Sequence, residues 1–429
     1  LPDPFYVDDN ASYANSDAHS STSHTDSSII GPIGSQRLVD EGAYVIAHIA
    51  DANINRWRRI TGAPDANTVS HNDLGAADGV WSLTNSLHGN VLDRSGEFYI
   101  DTFNSHRIYL WPVDAQQPSA GEVTMTVRAR GIELQDTASH VTVEGFRVEK
   151  FNDFGIGRDG TGTISGIVIR NNEVNRMRES GWSQNAIEFH HVNGILIENN
   201  GLFENSEMRG IMVDDADDVT VSNNTLNRIG ATGINLNEGV HNAKILRNEL
   251  RSIRGIHTNG ISVYGSALLV ARNRVIDSFR PRTIDGASDV YVVANVFDAG
   301  GNIPIAIWSE GVDNLHLYNN LLLGASDNAA SWTKDLSLFI SCSANGITAR
   351  NNVMEDLFFR PHAVAGSCGY GDFQATFINN VYFDVSDSFF SQTGAVVSDI
   401  DLAFVNRGGE DFRPSQNSVL IDGGVDISA

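Results

Sequence analysis

The stretch "GILIENNGLFENSEMRGIMVDD", Gly194 to Asp215, carries an Asn pair directly after an alternating apolar run. The same pair returns in "DVTVSNNTL", Asp218 to Leu226, and in "NLHLYNNLLL", Asn314 to Leu323. Aligning every apolar-x-apolar-x-x-Asn-x-apolar unit gives Asn172, Asn200, Asn224, Asn248, Asn273, Asn295, Asn320, Asn352 and Asn380, at spacings of 28, 24, 24, 25, 22, 25, 32 and 28 residues. Gly145 in "VTVEGFRV" fits the same slot one unit earlier. Short period-two strands at a spacing in the twenties, without a helical pattern, predict a solenoid of stacked β-coils. The expected fold is all-β, a single-stranded right-handed parallel β-helix. In such a stack the Asn of one coil can bond to the Asn of the next, so these residues read as scaffold.

Composition agrees with a folded, turn-rich chain. The 429 residues include 40 Gly and only 10 Pro, and 41% are hydrophobic, with no apolar run of 18 residues. Fifty-three acidic against 29 basic residues give a net charge of −24, which opposes binding to the polyanions nucleic acid and anionic membrane. Neither partner is expected. The opening "LPDPFYVDDN" fits a mature protein that is secreted to the extracellular space or periplasm. Cys342 and Cys368 are too few for a disulfide scaffold and leave one bridge or two free thiols open.

Three regions are expected. Residues 1–112 form a loop-rich cap ending in a hairpin at "GEFYIDTFNSHRIYLWP", residues 113–400 the β-helix, and residues 401–429 a closing segment. An open solenoid end exposes unpaired strands, which is why a cap is required.

A second register precedes each Asn by about thirteen residues, in "GIELQ", "AIEFH", "GIMVD", "GINLN", "GISVY" and "AIWSE". Alternation puts Ile187 and Phe189 inside and Glu188 and His190 outside. Carried along the chain, it gives one outward row of Glu133, Gly157, Glu188, Met212, Asn235, Ser262, Asp285 and Trp308. A second row holds Gln135, Asp159, His190, Asp214, Asn237, Tyr264 and Glu310. Asn185, Arg209 and Asn259 stand in the turn before the strand, with His257 two residues before Asn259. A solvated β-face would not gather carboxylates, His, Tyr, Trp and Asn over a few coils, so these rows predict a cleft.

The phrases "EFYIDTFNSHRIYLWP", "RARGIELQDTASHVTVEGFRVE" and "DFRPSQNSVLIDGG" resemble secreted right-handed β-helix enzymes that act on polysaccharides, in particular glycoside hydrolases of the fucosidase, xylanase and endo-fucanase kind. The resemblance runs from about residue 96. It implies an extracellular carbohydrate-active enzyme whose site lies on the outward face of the first sheet, acting on a glycan such as a sulfated or otherwise acidic fucan.

Glycoside hydrolysis needs a proton donor at the leaving oxygen and a second carboxylate as base or nucleophile. Glu188 and Asp214, on adjacent coils, are expected with Cα atoms about 8 Å apart. That spacing suits the roughly 6.5 to 9.5 Å carboxyl separation of inverting enzymes. They are the candidate catalytic carboxylates, with His190 beside Asp214 to set its charge. Asn185, Arg209, Asn235, Asn237, Glu238, His257, Asn259, Tyr264, Trp308 and Glu310 are the candidate substrate-binding residues, Glu238 and Glu310 also standing as reserve acids. The alternative is a polysaccharide lyase on uronic-acid chains such as alginate. There Arg209, or a Ca²⁺ held near Asp214, Asp215, Asp217 and Asp218, would neutralise the uronate while Tyr264, His190 or His257 acts as base. A non-catalytic carbohydrate-binding β-helix is the third reading.

Overall fold

The computed structural model describes residues 14–28, 30–40, 43–49, 54–73, 80–84, 98–100, 108–110, 128–151, 153–175, 185–205, 209–253, 259–278, 281–298, 307–323, 338–341, 345–355, 361–362, 375–383, 396–398, 404–406, 411–416 and 418. Two compact units divide the chain, Leu1–Thr126 with Gly255–His257, and Val127–Arg254 with Thr258–Ala429.

The larger unit is a right-handed parallel β-helix. Each middle coil runs through three strand segments, and each segment hydrogen-bonds to its equivalent one coil earlier and later. Strand Asn185–Glu198 carries two of these segments, with a bend marked by His191 at φ 51° and Gly194 at φ 74°. It pairs in parallel with Arg209–Ser222, so that Ile187 meets Ile211 and His190 meets Asp214. The third segment forms a separate 11-stranded parallel sheet, which includes Gly201–Asn205, Thr225–Ile229 and Glu249–Ile253. Inward residues from successive coils make one apolar column in which Ile187, Phe189, Ile211, Val213, Ile234 and Leu236 are fully buried. Burying such side chains is worth roughly 1.5 to 3 kcal/mol each, and it is what holds the coils in register.

The nine aligned Asn residues stack at one corner, between 0% and 3% exposed. Asn224 shows the pattern: its Oδ1 accepts from Asn200 N at 2.9 Å and Asn200 Nδ2 at 3.0 Å, while its own Nδ2 donates to Ile197 O at 2.9 Å and Asn248 Oδ1 at 3.0 Å. The first member of each pair has a different task. Asn171, Asn199, Asn223, Asn319, Asn351 and Asn379 have φ between 50° and 56°, the left-handed region that Asn enters more readily than most residues. Gly145, at φ 76°, belongs to this left-handed slot and not to the ladder slot expected for it. Phe146 holds the ladder slot in that coil, and its backbone N donates to Asn172 Oδ1 at 3.0 Å.

The amino-terminal unit contains more regular structure than its Ser, Asp and Asn content suggested. Its seven-stranded sheet runs in the order Ala14–Asn15, Val80–Thr84, Tyr44–Ile49, Ile54–Asp65, Thr68–His71, Ser23–Thr25, Ala18–Ser20, with antiparallel neighbours. Two short helices, Ile30–Ile33 and Ser35–Asp40, contribute the buried Ile30 and Leu38. His24, fully buried, places its Nδ1 2.9 Å from His71 Nε2, a contact with room for one shared proton. Burial, then the neighbouring charges of His71 and His19, push His24 down to about 4. The phrase at 96–112 contains the antiparallel pair Phe98–Ile100 and Ile108–Leu110, and near the other end Phe404–Asn406 pairs antiparallel with Asp411–Pro414.

Candidate functional site

The outward row on the first segment is Glu133, Gly157, Glu188, Met212, Asn235, Ser262, Thr283 and Trp308 in backbone register. Thr283 therefore stands where Asp285 was expected. Arg282 takes the inward position opposite Ile261, and a side chain that long and polar hides the apolar alternation at the start of its strand. Asp285 instead pairs with Glu310, in the row of His190 and Asp214. Although this row points away from the core, Glu188 (7%), Met212 (6%), Asn235 (5%) and Ser262 (1%) are nearly inaccessible. A carboxylate and an amide so shielded need specific partners.

Glu188 has them. Its Oε2 accepts from Asn185 Nδ2 at 2.8 Å, and its Oε1 lies 2.7 Å from His190 Nε2. The other ring nitrogen, Nδ1, lies 3.3 Å from Asp214 Oδ2 on the next coil. Alternation put Glu188 and His190 two apart on one strand, and coil stacking brought Asp214 beside them. The imidazole thus spans two carboxylates. The hydrogen bond that His190 Nε2 donates to Glu188 raises the His190 pKa, the charges of Glu188 and Asp214 add to it, and burial only partly opposes them. Glu188 is the buried end of this chain; the Asp214 side chain is 29% exposed.

Arg209, opposite Asn185 in register, is half-buried. Burial lowers its pKa against the charges of Glu188, Tyr264 and Asp214, which all act on it. Tyr264, two coils on, has its pKa raised by burial, bonds Ser262, and stands in the field of Asp285, Arg209 and Glu238. Asn235 Nδ2 donates to Asn237 Oδ1 at 3.4 Å, and Asn259 Oδ1 accepts from Thr283 Oγ1 at 2.6 Å. One surface thus joins Asn185, Glu188, His190, Arg209, Asp214 and Tyr264, with Glu238 exposed at its edge. The acids one and two coils earlier do not join it, because Arg130 ties Glu133, Asp153 and Asp159 together.

Trp308 and Glu310 are fixed by backbone register alone, and His257, Cys342 and Cys368 lie outside the described residues. The acidic run is spread around a bend: Asp214 faces His190, Asp215 faces His191, and Asp218 accepts from Asn242. Among the described residues no three His, Cys, Asp or Glu side chains are placed to hold a metal ion. Arg158 is not among the candidate site residues read from the sequence. It lies fully buried beneath the bend that follows His190.

Residues 122–253 match the family described as "Right handed beta helix region". No curated protein matches the chain in sequence. Among solved structures, a complex of XylC with xylose is 13% identical with a TM-score of 0.40, covering 59% of this chain and 56% of that one. The chain thus spans little more than half the length of that structure. A structure named "Glycoside hydrolase" is 11% identical with a TM-score of 0.45, covering 88% of this chain and 74% of the other. The A-module of the Azotobacter vinelandii mannuronan C-5 epimerase AlgE6 is 11% identical with a TM-score of 0.28, covering 64% and 85%.

Proposed function

We propose that this protein is a secreted glycoside hydrolase that cleaves a polysaccharide on the outward face of the first sheet. The observation that carries the reading is the chain Asn185–Glu188–His190–Asp214, in which one imidazole joins two carboxylates on adjacent coils. An imidazole bonded at both nitrogens sets the two bonded carboxylate oxygens roughly 7 to 8 Å apart, comparable with the carboxyl spacing of inverting hydrolases. Asp214, the more exposed end, relays a proton from His190 Nδ1 to the leaving glycosidic oxygen as its bond to the anomeric carbon breaks. Glu188, whose Oε2 accepts from Asn185 Nδ2, takes the proton released as water attacks the anomeric carbon.

Arg209 is a cation that could meet an anionic group on the glycan, a carboxylate or a sulfate, so an acidic chain such as a sulfated fucan belongs among the substrates to be tried. A second reading, β-elimination on a uronic-acid chain, is favoured by one observation: the Tyr264 phenol and the Arg209 guanidinium share a local field. There Arg209 would neutralise the uronate and Tyr264 take the proton. Incubation with neutral, sulfated and uronic-acid polysaccharides tests both, following reducing ends and the absorbance of an unsaturated product. Reducing ends without that absorbance are expected; the absorbance would replace hydrolysis with elimination, and silence on every glycan would remove the catalytic reading.

A further inference from the structure

Arg158 is fully buried, opposite the inward Phe189 in register, at the corner where its coil leaves the first segment. Its Nη1 donates to His190 O at 2.5 Å and His191 O at 3.3 Å on the next coil. Its Nη2 donates to Asp136 Oδ1 at 2.9 Å on the preceding coil and to Gly162 O on its own. One guanidinium therefore fastens three consecutive coils at the point where the chain turns out of the candidate site. The bend carries a left-handed His191 at φ 51°, and the guanidinium gives two of its carbonyls a buried donor. The sequence around Arg158 is shaped to the same end. A Cβ at Gly160 would lie 1.6 Å from Asp136 Oδ1 and 3.0 Å from Arg158 Nη2, so only glycine leaves room for the ion pair.

We propose that Arg158 is a positioning residue for His190, holding by its forked donors the backbone that aims the imidazole between Glu188 and Asp214. It touches no substrate and acts through the His190 carbonyl. The proposal rests on the reading of His190 as part of the site. A lysine would keep the charge but could not place four bonds in one plane, so charge alone does not fulfil the role.

The test is the proton-NMR titration of the histidine rings in the full chain, in wild type, Arg158→Lys and Arg158→Met, with His241 as internal reference because it contacts Ser266 and not Arg158. It does not depend on turnover, so it stands or falls apart from the hydrolase reading. If Arg158 aims the ring, the His190 midpoint falls toward that of an ordinary histidine in both variants, because the bond to Glu188 that raises it is lost, while His241 is unmoved. Where a glycan is cleaved, turnover should fall about 10²-fold, as expected for misplacement of about 1 Å. An unchanged His190 midpoint in a folded variant overturns the proposal, whatever happens to the melting temperature. Asp136→Asn, which alters a partly exposed partner, keeps the test if both arginine variants fail to fold. The same downward movement supports the role, and an unmoved His190 overturns it.

Discussion

The Asn corner and the outward row of the first segment belong to the same coils, yet they follow opposite rules. At the corner every coil from Asn172 to Asn380 repeats one residue, one left-handed neighbour and one set of bonds near 2.9 Å. Along the row no two neighbouring coils repeat a residue, for Gly157, Glu188, Met212, Asn235 and Ser262 follow one another in register. A ladder gains by sameness, since each member satisfies the next. Chemistry on a glycan needs unlike groups at fixed distances, and the stacking of coils about 4.8 Å apart supplies the distances.

The comparison breaks first where the expected effect is largest. Glu188→Gln and Asp214→Asn should each remain folded and retain binding, while turnover falls by about three powers of ten, equivalent to about 4 kcal/mol of transition-state stabilisation. Activity above about a tenth of wild type in both variants, less than roughly 1.4 kcal/mol, would return the pair to scaffold. Attention would then move to Asp285 and Glu238, which act on Tyr264.

The reverse result is expected at the corner. Asn224→Ala removes four hydrogen bonds, among them those to the buried backbone amide of Asn200 and the carbonyl of Ile197. A loss of about 3 kcal/mol in denaturant unfolding is expected, from unsatisfied buried groups at 1 to 3 kcal/mol each, with the glycan-cleavage rate unchanged. A variant equally stable, or one that loses turnover while folded, would erase the division between the two faces.

What could be read from sequence follows the same division. The ladder was legible because repetition is visible without a structure. Glu188 and His190 were legible as a pair because alternation fixes residues two apart on one strand. Asp285 was misplaced by one step, since Arg282 sits inward where other coils carry Ile, and apolar alternation cannot mark a position filled by a buried cation. Gly145 was assigned to the ladder because a glycine that serves a left-handed φ looks, in sequence, like any small residue at a turn. Arg158 was hidden for a different reason: most of its acceptors are backbone carbonyls, which every residue carries. The antiparallel sheet before residue 85 lacks the Asn repeat that marks the coils, and its strands Ala18–Ser20, Ser23–Thr25 and Thr68–His71 are short and largely polar.

Two histidine environments sharpen the contrast between fold and site. His24 has its folded pKa depressed from 6.5 to about 4, chiefly by burial. An unfolded chain therefore takes up the proton first as pH falls. Stability from His24 is complete above about 6.5 and is lost toward pH 4, by roughly 2 to 3 kcal/mol. His190 is raised from 6.5, so its contribution is complete below that value and is lost as pH rises through the raised folded pKa. Hydrogen exchange, corrected for its intrinsic pH dependence, should show residues 14–84 opening between pH 6.5 and 4 with no matching change across 185–198. In turnover, the alkaline limb should follow His190 and move to lower pH in Glu188→Gln. Opening of both regions in parallel, or an alkaline limb unmoved by that variant, would remove the distinction.

The smallest effect tests the corner at its weakest member. Ala294 has φ 55° in the slot that Asn fills in six other coils, and its side chain is exposed. A left-handed conformation costs an L-residue roughly 1 to 2 kcal/mol, less for Asn and almost nothing for Gly. Ala294→Gly relieves that strain but gives the unfolded chain more freedom, at about 0.4 to 1 kcal/mol. Ala294→Asn relieves part of it without that offset. Each should therefore raise stability by about 0.5 kcal/mol, with Asn at least equal to Gly, and neither should alter turnover. The neighbouring Asn295 must keep its bonds to Asn320 Oδ1 at 3.0 Å and Val270 O at 2.9 Å for this to hold, and the exposed side chain at 294 leaves them untouched. Denaturant midpoints of the two variants measured beside wild type decide it. A loss of stability in both would mean that the slot tolerates alanine without strain, and that the Asn pairs owe their first member to something other than backbone conformation.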